Sequence, residues 1–261
     1  MKIVVCVKQV PDTTEVKINP ETNTLIREGV ASIINPFDLY AVEEAIRIKE
    51  QHGGTVTVLS MGPAQVVEAL RETIAMGVDD AVLLSDRAFA GADTLATSYA
   101  LAKGIEKIGA VDLVLCGKQA IDGDTAQVGP ELAEKLDFAH ATYVKKINAI
   151  GEGFITVERM NEEGYERVQL QLPALLTVVK EINEPRLPSI KGKMRAKKME
   201  IPIWSAEAIG ADPAKVGLNG SPTWVKRIFT PELKCQGEIF DGPPEAAVKA
   251  LVDAIIERKI V

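Results

Sequence analysis

The segment GKQAIDGDTAQVGPE, Gly117 to Glu131, gathers residue types suited to holding an anionic ligand. Gly117 and Gly123 admit tight or positive-φ backbone, and the short side chains of Ala120, Thr125 and Ala126 let main-chain amides approach a bound molecule. Thr125, Ala126, Gln127 and Val128 lead into a helical pattern, with Pro130 near its first turn. The first amides of a helix lack intrahelical partners and carry partial positive charge, which makes a cradle for phosphate. Asp122 and Asp124 stand against this, because carboxylates repel phosphate. The expected resolution is that one aspartate caps the helix and the other faces ribose hydroxyls or solvent. Neither a GxGxxG run nor a Walker lysine is present. The residues alone leave two readings open: a nucleotide site, or an ordinary capped βα loop.

Other chemistry is sparse. His52 and His140 are the only histidines; the first ends a helical pattern and the second begins a strand, so no hydrolytic triad is expected. Cys6, Cys116 and Cys235 form no metal-ligand spacing and no disulfide framework. No catalytic residue and no metal ligand is assigned.

The elements that position the segment follow from four apolar runs, IVVCV (3–7), TVTVLSM (55–61), AVLLS (81–85) and VDLVLC (111–116). Each is short and rich in Val, Leu or Ile, as parallel strands buried on both faces are. Helical patterns at 39–51, 64–76 and 93–108 separate them, the last with Asp93 or Thr94 as its cap. The alternation predicts a doubly wound parallel α/β sheet. Ligands of such sheets sit beyond the carboxyl ends of the strands, where the strand order reverses. Val7-Lys8-Gln9 and Gly117 leave the first and fourth runs at that end. If those strands are neighbours, their loops wall one crevice.

Beyond residue 140, TYVKKINAI, GFITVERMN and YERVQLQL alternate apolar and polar residues and read as antiparallel additions. PALLTVVKEI (173–182) returns to the sheet. NEPRLPSIKGKMRAKKMEIPIW then brings three prolines, a basic run and little periodicity, and 243–259 reads as an amphipathic helix. The expected division is a nucleotide-binding domain at 1–185 and a C-terminal arm at 186–261, lying on another subunit or on its own domain. The net charge of -7 argues against nucleic-acid binding, and no apolar run approaches the ~20 residues needed to cross a bilayer. Met1-Lys2 leads straight into a strand without a secretory leader pattern, so a reduced cytoplasmic chain is expected.

Several stretches, in this order, carry a resemblance: VCVKQVPD (5–12), INPFDLYAVEEAIRIKE (34–50), MGPAQ (61–65), AMGVD (75–79), GKQAIDGDTAQVGP (117–130), LPALLTV (172–178), NEPR (183–186) and AKK (196–198). Together they resemble the β subunit of electron transfer flavoproteins. The resemblance implies an adenine-nucleotide-hydrolase-like sheet and a heterodimer with an FAD-bearing α subunit, on which the arm and final helix pack. It also implies a second nucleotide in the β crevice, AMP in respiratory members and FAD in electron-bifurcating ones. Cys6 would meet the adenosine at the end of the first strand. Asn35, Pro36, Phe37 and Asp38 would form a loop over the nucleotide, and Met61 would follow the second strand. Gly117, Lys118, Gln119, Ala120, Ile121, Asp122, Gly123, Asp124, Thr125, Ala126, Gln127 and Val128 would wrap ribose and phosphates. Without the resemblance, Cys6 and Met61 read as core and Phe37 as a helix staple.

GDTAQVGP, TTEV (13–16), AFAGADT (88–94) and GLNGSPTWVKRIF (217–229) are similar to the bifurcating branch. That branch implies NADH as donor, with electrons parted between ferredoxin or flavodoxin and, through the α-subunit FAD, an acyl-CoA dehydrogenase. In the family, the region of Leu187, Ile190 and Lys191 docks on such dehydrogenases, with Ile190 as apolar anchor ahead of the basic run KGKMRAKK. Two other readings stand beside it: a respiratory-type β subunit with structural AMP, and a nucleotide-binding regulatory module without a redox role.

Overall fold

The computed structural model describes residues 1–12, 32–226 and 237–260. They fall into two compact units, Met1–Lys226 and Arg227–Val261. The motif TTEV, residues 227–229 of the GLNGSPTWVKRIF stretch, and Cys235 lie outside the described residues.

In the first unit, β1 (Lys2–Cys6) leads to a short antiparallel pair, β2 (Gln9–Pro11) and β3 (Ser32–Ile34). Alternation follows: α1 (Pro36–His52), β4 (Thr55–Met61), α2 (Val66–Met76), β5 (Asp80–Leu84), α3 (Thr94–Ile108), β6 (Leu113–Gly117) and α4 (Val128–Leu136). Next come β7 (Ala139–Gly151), β8 (Phe154–Asn161), β9 (Gly164–Gln171) and β10 (Ala174–Val178), then α5 (Ile190–Lys198) and β11 (Ile203–Trp204). One nine-stranded sheet has the order β11-β5-β4-β1-β6-β10-β7-β8-β9. Its core is parallel. β7 runs parallel to β10 but antiparallel to β8, so it converts the parallel sheet into the antiparallel meander.

Successive strand residues face opposite sides. Ile3, Val5 and Val7 join Ala41, Val42, Leu70 and Ile74 beneath α1 and α2. Val4 and Cys6 join Leu101, Ile105 and Leu132 beneath α3 and α4. Both faces of the sheet are therefore covered, which is why the strands carry continuous apolar runs instead of alternating ones.

The first unit continues to Lys226, past the boundary near 185 read from composition. The reason is polar tethering, which an apolar tally misses. Arg186 bonds to Glu43 and Glu50, Arg71 donates to the carbonyls of Ala196 and Met199, and β11 adds to the edge of β5. The basic run is also not irregular: it forms α5, capped by Ser189 Oγ accepting from Gly192 N at 2.9 Å. Gly192 allows the close seat, since a Cβ there would overlap the Ala75 carbonyl on α2. In the second unit, α6 (Pro244–Glu257) begins at the expected proline and leaves Val248, Leu251, Val252 and Ile256 exposed. Among the described residues no helix is long and apolar enough to span a membrane.

Candidate functional site

β1 lies between β4 and β6, and strand order reverses at the β1–β6 junction. Cys6 pairs in register with Cys116, so the loops leaving β1 and β6 are neighbours at the carboxyl edge, as the crevice requires. Both thiols are buried and reduced; hydrogen bonding with Cys6, then burial, push the Cys116 thiol well above its ordinary value. Met61 ends β4 on the same side, half-buried against the α3/α4 core.

The Asn35–Asp38 stretch is not an open loop. Pro36 is the first residue of α1, where its missing N–H costs nothing, and Phe37 and Asp38 complete the first turn. Asn35 is buried. Its Nδ2 donates to the Gln119 carbonyl at 2.8 Å, and its Oδ1 accepts from Ile121 N at 3.1 Å. Asp38 is buried as well, and its carboxyl accepts from Lys8 N at 2.7 Å and Gly117 N at 3.2 Å. One side chain thus ties the exits of β1 and β6 to the head of α1. Burial raises the Asp38 pKa to about 7, against the opposing pull of the Lys8 amide, Asn35 and the Gly117 amide. Gly117 permits this packing: a Cβ there would overlap Asp38 Oδ1 and lie 2.6 Å from the Phe37 carbonyl carbon. Lys118 donates its amide to Val178 O at 2.9 Å and holds Nζ 5.0 Å from the Phe37 ring centre. The resemblance implies a loop of Asn35, Pro36, Phe37 and Asp38 over the nucleotide; in the structure the polar atoms of Asn35 and Asp38 bond to loop backbone.

The turn into α4 carries the anion-binding features. Asp124 and Ala126 have φ of 50° and 54° although neither is glycine. Such left-handed non-glycine residues cost on the order of 1–3 kcal/mol each and concentrate at functional sites. Ala126 is followed by Gln127 in the right-handed region, an alternation that turns successive amides toward a common point. Among the described residues, no protein acceptor meets the amides of Thr125, Ala126, Gln127, Val128 or Gly129. Gly123 faces open space, so a ligand can approach its backbone. Helix α4 comes close to the sheet because Gly129 lies against Thr177 on β10.

Neither aspartate caps α4, contrary to expectation. Gln127 is the N-cap residue and makes no side-chain cap bond. Asp122 is drawn to Lys8, and Asp124 Oδ1 accepts from Gln119 Nε2 at 2.7 Å. Asp93 does cap α3, accepting from Ala96 N at 3.0 Å and from Thr223 Oγ1 at 2.9 Å. Thr94 Oγ1 bonds to Glu131 Oε1 at 3.0 Å, so the heads of α3 and α4 adjoin. Ala120 and Ile121 line the outer part of the turn, with Ile121 exposed. The anion-binding features thus fit a phosphate-bearing group.

Leu187, Ile190 and Lys191 do not join this site. They sit where α5 packs on the C-terminal end of α2, near Ala75 and Val78, at the amino edge of the sheet. Leu187 and Ile190 are 89% and 81% exposed. A separate recess of about 470 Å³, lined by Leu95, Tyr99, Lys135 and Lys215, shares no lining residue with the Gly117–Val128 turn. No cluster of three or more His, Cys, Asp or Glu able to hold a metal occurs among the described residues.

The fold defines a doubly wound α/β protein, a class that takes its ligands at the switch point. Residues 22–209 match the electron transfer flavoprotein domain. The chain is 55% identical to the electron transfer flavoprotein subunit beta of Thermoanaerobacterium thermosaccharolyticum and 50% identical to that of Megasphaera elsdenii, over the full length of each. It is also 53% identical, over full length, to the caffeyl-CoA reductase-Etf complex subunit CarD of Acetobacterium woodii. The chain belongs to the electron transfer flavoprotein family, among its β subunits. Family members bind flavin or AMP, and their β subunits pair with α subunits. This sets aside the regulatory module without a redox role.

Proposed function

We propose that this chain is the β subunit of an electron-bifurcating flavoprotein and holds FAD at the β1–β6 switch point. The observation that carries the reading is the strained turn before α4, where positive-φ Asp124 and Ala126 precede a run of amides with no protein acceptor. A dinucleotide's diphosphate suits that run, and Gly123 leaves room for its backbone approach. Cys6, Cys116 and Met61, in the apolar core near the ends of β1, β6 and β4, would give the ligand an apolar floor. When bound, the flavin supplies hydride acceptance and one-electron transfer. The chain's own residues bind, orient and desolvate. The two electrons of NADH would part, one to ferredoxin or flavodoxin and one, by way of the α-subunit FAD, to an acyl-CoA dehydrogenase. Similarity to a subunit named for a caffeyl-CoA reductase-Etf complex supports this branch.

Leu187, Ile190 and Lys191 serve as the docking patch for the dehydrogenase, an apolar anchor ringed by charge. The exposed apolar face of α6 packs on the α subunit. The complex works in the cytoplasm. The second reading is a non-bifurcating subunit with structural AMP in the same cradle. Flavin and nucleotide counting on the purified heterodimer, followed by anaerobic NADH titration, separates them. Two FAD per heterodimer with reduction by NADH are expected. One FAD plus one AMP, with no reduction by NADH, would establish the second reading.

A further inference from the structure

Lys8 is the first residue beyond β1, and its amide is fixed by the buried Asp38 carboxyl at 2.7 Å. Its Nζ reaches across to the opposite wall and contacts both carboxyl oxygens of Asp122, at 2.6 and 2.8 Å. The two side chains are 50% and 30% exposed. The pair joins segments 114 positions apart at the edge of the cradle described above. Exposed pairs of this kind hold weakly and exchange readily. Asp122 is also a like charge for any phosphate that approaches the α4 turn, the conflict visible in the sequence.

We infer that Lys8 is the cation that binds the nucleotide's phosphate, and that Asp122 is the anion it exchanges for that phosphate. The inference rests on the nucleotide reading of the crevice and deepens it. The diphosphate of a dinucleotide carries two negative charges and four non-bridging oxygens against a carboxylate's one charge and two oxygens, so it competes for the ammonium directly. Asp38 anchors the Lys8 backbone, so the ammonium starts from a fixed root at the crevice and only the flexible stem moves. Asp122 holds the long side chain at the mouth until it is replaced. It also sets a charge requirement, because a ligand without phosphate gains nothing from breaking the pair. Specificity for a phosphorylated nucleoside over the bare nucleoside then lies in this exchange.

The test uses the full chain in its α-subunit complex, dialysed free of nucleotide and titrated calorimetrically with adenosine, AMP and ADP. Thermal shifts with the same ligands give an independent reading of affinity. Lys8→Met is expected to weaken AMP and ADP roughly tenfold or more while leaving adenosine unchanged, and Lys8→Arg to restore most of the loss. Asp122→Asn is expected to tighten AMP and ADP about threefold, because the competitor and the like charge are both removed. The loss in Lys8→Met should shrink as salt is raised. An equal loss for adenosine and AMP in Lys8→Met would overturn the inference while leaving the nucleotide site standing. So would weaker AMP binding in Asp122→Asn, which would mean that Asp122 itself grips the ribose. If the wild-type complex bound none of these ligands and did not rebind FAD, the nucleotide reading would fall, and this inference with it.

Discussion

Replacing Asp38 with asparagine tests the buried tie at the switch point through pH. Asparagine keeps the shape of the carboxyl and does not titrate; its NH2 carries two donors and leaves one of the Lys8 and Gly117 amides without an acceptor, a cost that is the same at every pH. The wild-type carboxyl has a pKa of about 7 in the folded chain against an ordinary 3.8. Because the folded value is raised, the group's stabilising contribution is fully present below about pH 4 and is lost as pH rises through about 7. With those two values, the loss is about 2 kcal/mol at pH 5 and about 4 kcal/mol at pH 8. Asp38→Asn suffers neither loss. Its stability relative to wild type should therefore climb by about 2–3 kcal/mol between pH 5 and pH 8. Lys8 and Cys116 neighbour the carboxyl in both proteins, so their influence largely cancels in the difference. The assay is urea unfolding of both chains at pH steps across that range, with equal m-values required. A difference that stays flat with pH, or runs the other way, would refute the reasoning. Asp38→Ala is the control. It strips the acceptor from the Lys8 and Gly117 amides at every pH, at about 1–3 kcal/mol for each amide left unpaired.

Two further substitutions probe separate parts of the molecule. Gly129→Ala gains helix propensity but forces a Cβ into Thr177 Cγ2; overpacking should prevail, lowering stability by about 1–2 kcal/mol and displacing the α4 amides, so that denaturation midpoint and nucleotide affinity fall together. Ile190→Ala removes an exposed side chain, so flavin content and melting temperature should hold while electron transfer to the acyl-CoA dehydrogenase slows several-fold; unchanged transfer kinetics would remove Ile190 from the docking patch.

Much of the architecture was legible because it is local. The apolar runs at β1, β4, β5 and β6 and the helical periods between them lie within windows of a few turns, and each sits where pattern alone placed it. The turn after β6 was conspicuous by its small residues, and Asp93 was recognisable as a cap. What local pattern could not carry was partnership between distant positions. Lys8 and Asp122 are 114 positions apart, and Asn35 meets Gln119 and Ile121 across more than eighty. Helix α5 was hidden for the same reason: it has almost no buried face of its own, and Arg71 and Arg195 bind it to α2.

Composition and periodicity by themselves determined a doubly wound sheet, because burial on both faces writes itself into every strand, and they left the turn after the fourth run open between a nucleotide site and a capped loop. Only the tertiary structure decided which charges meet. It assigned Asp122 to Lys8 instead of a helix cap, and gave Asp38 the backbone amides of Lys8 and Gly117, since hydrogen-bond partners are chosen by distance in space and not by distance along the chain.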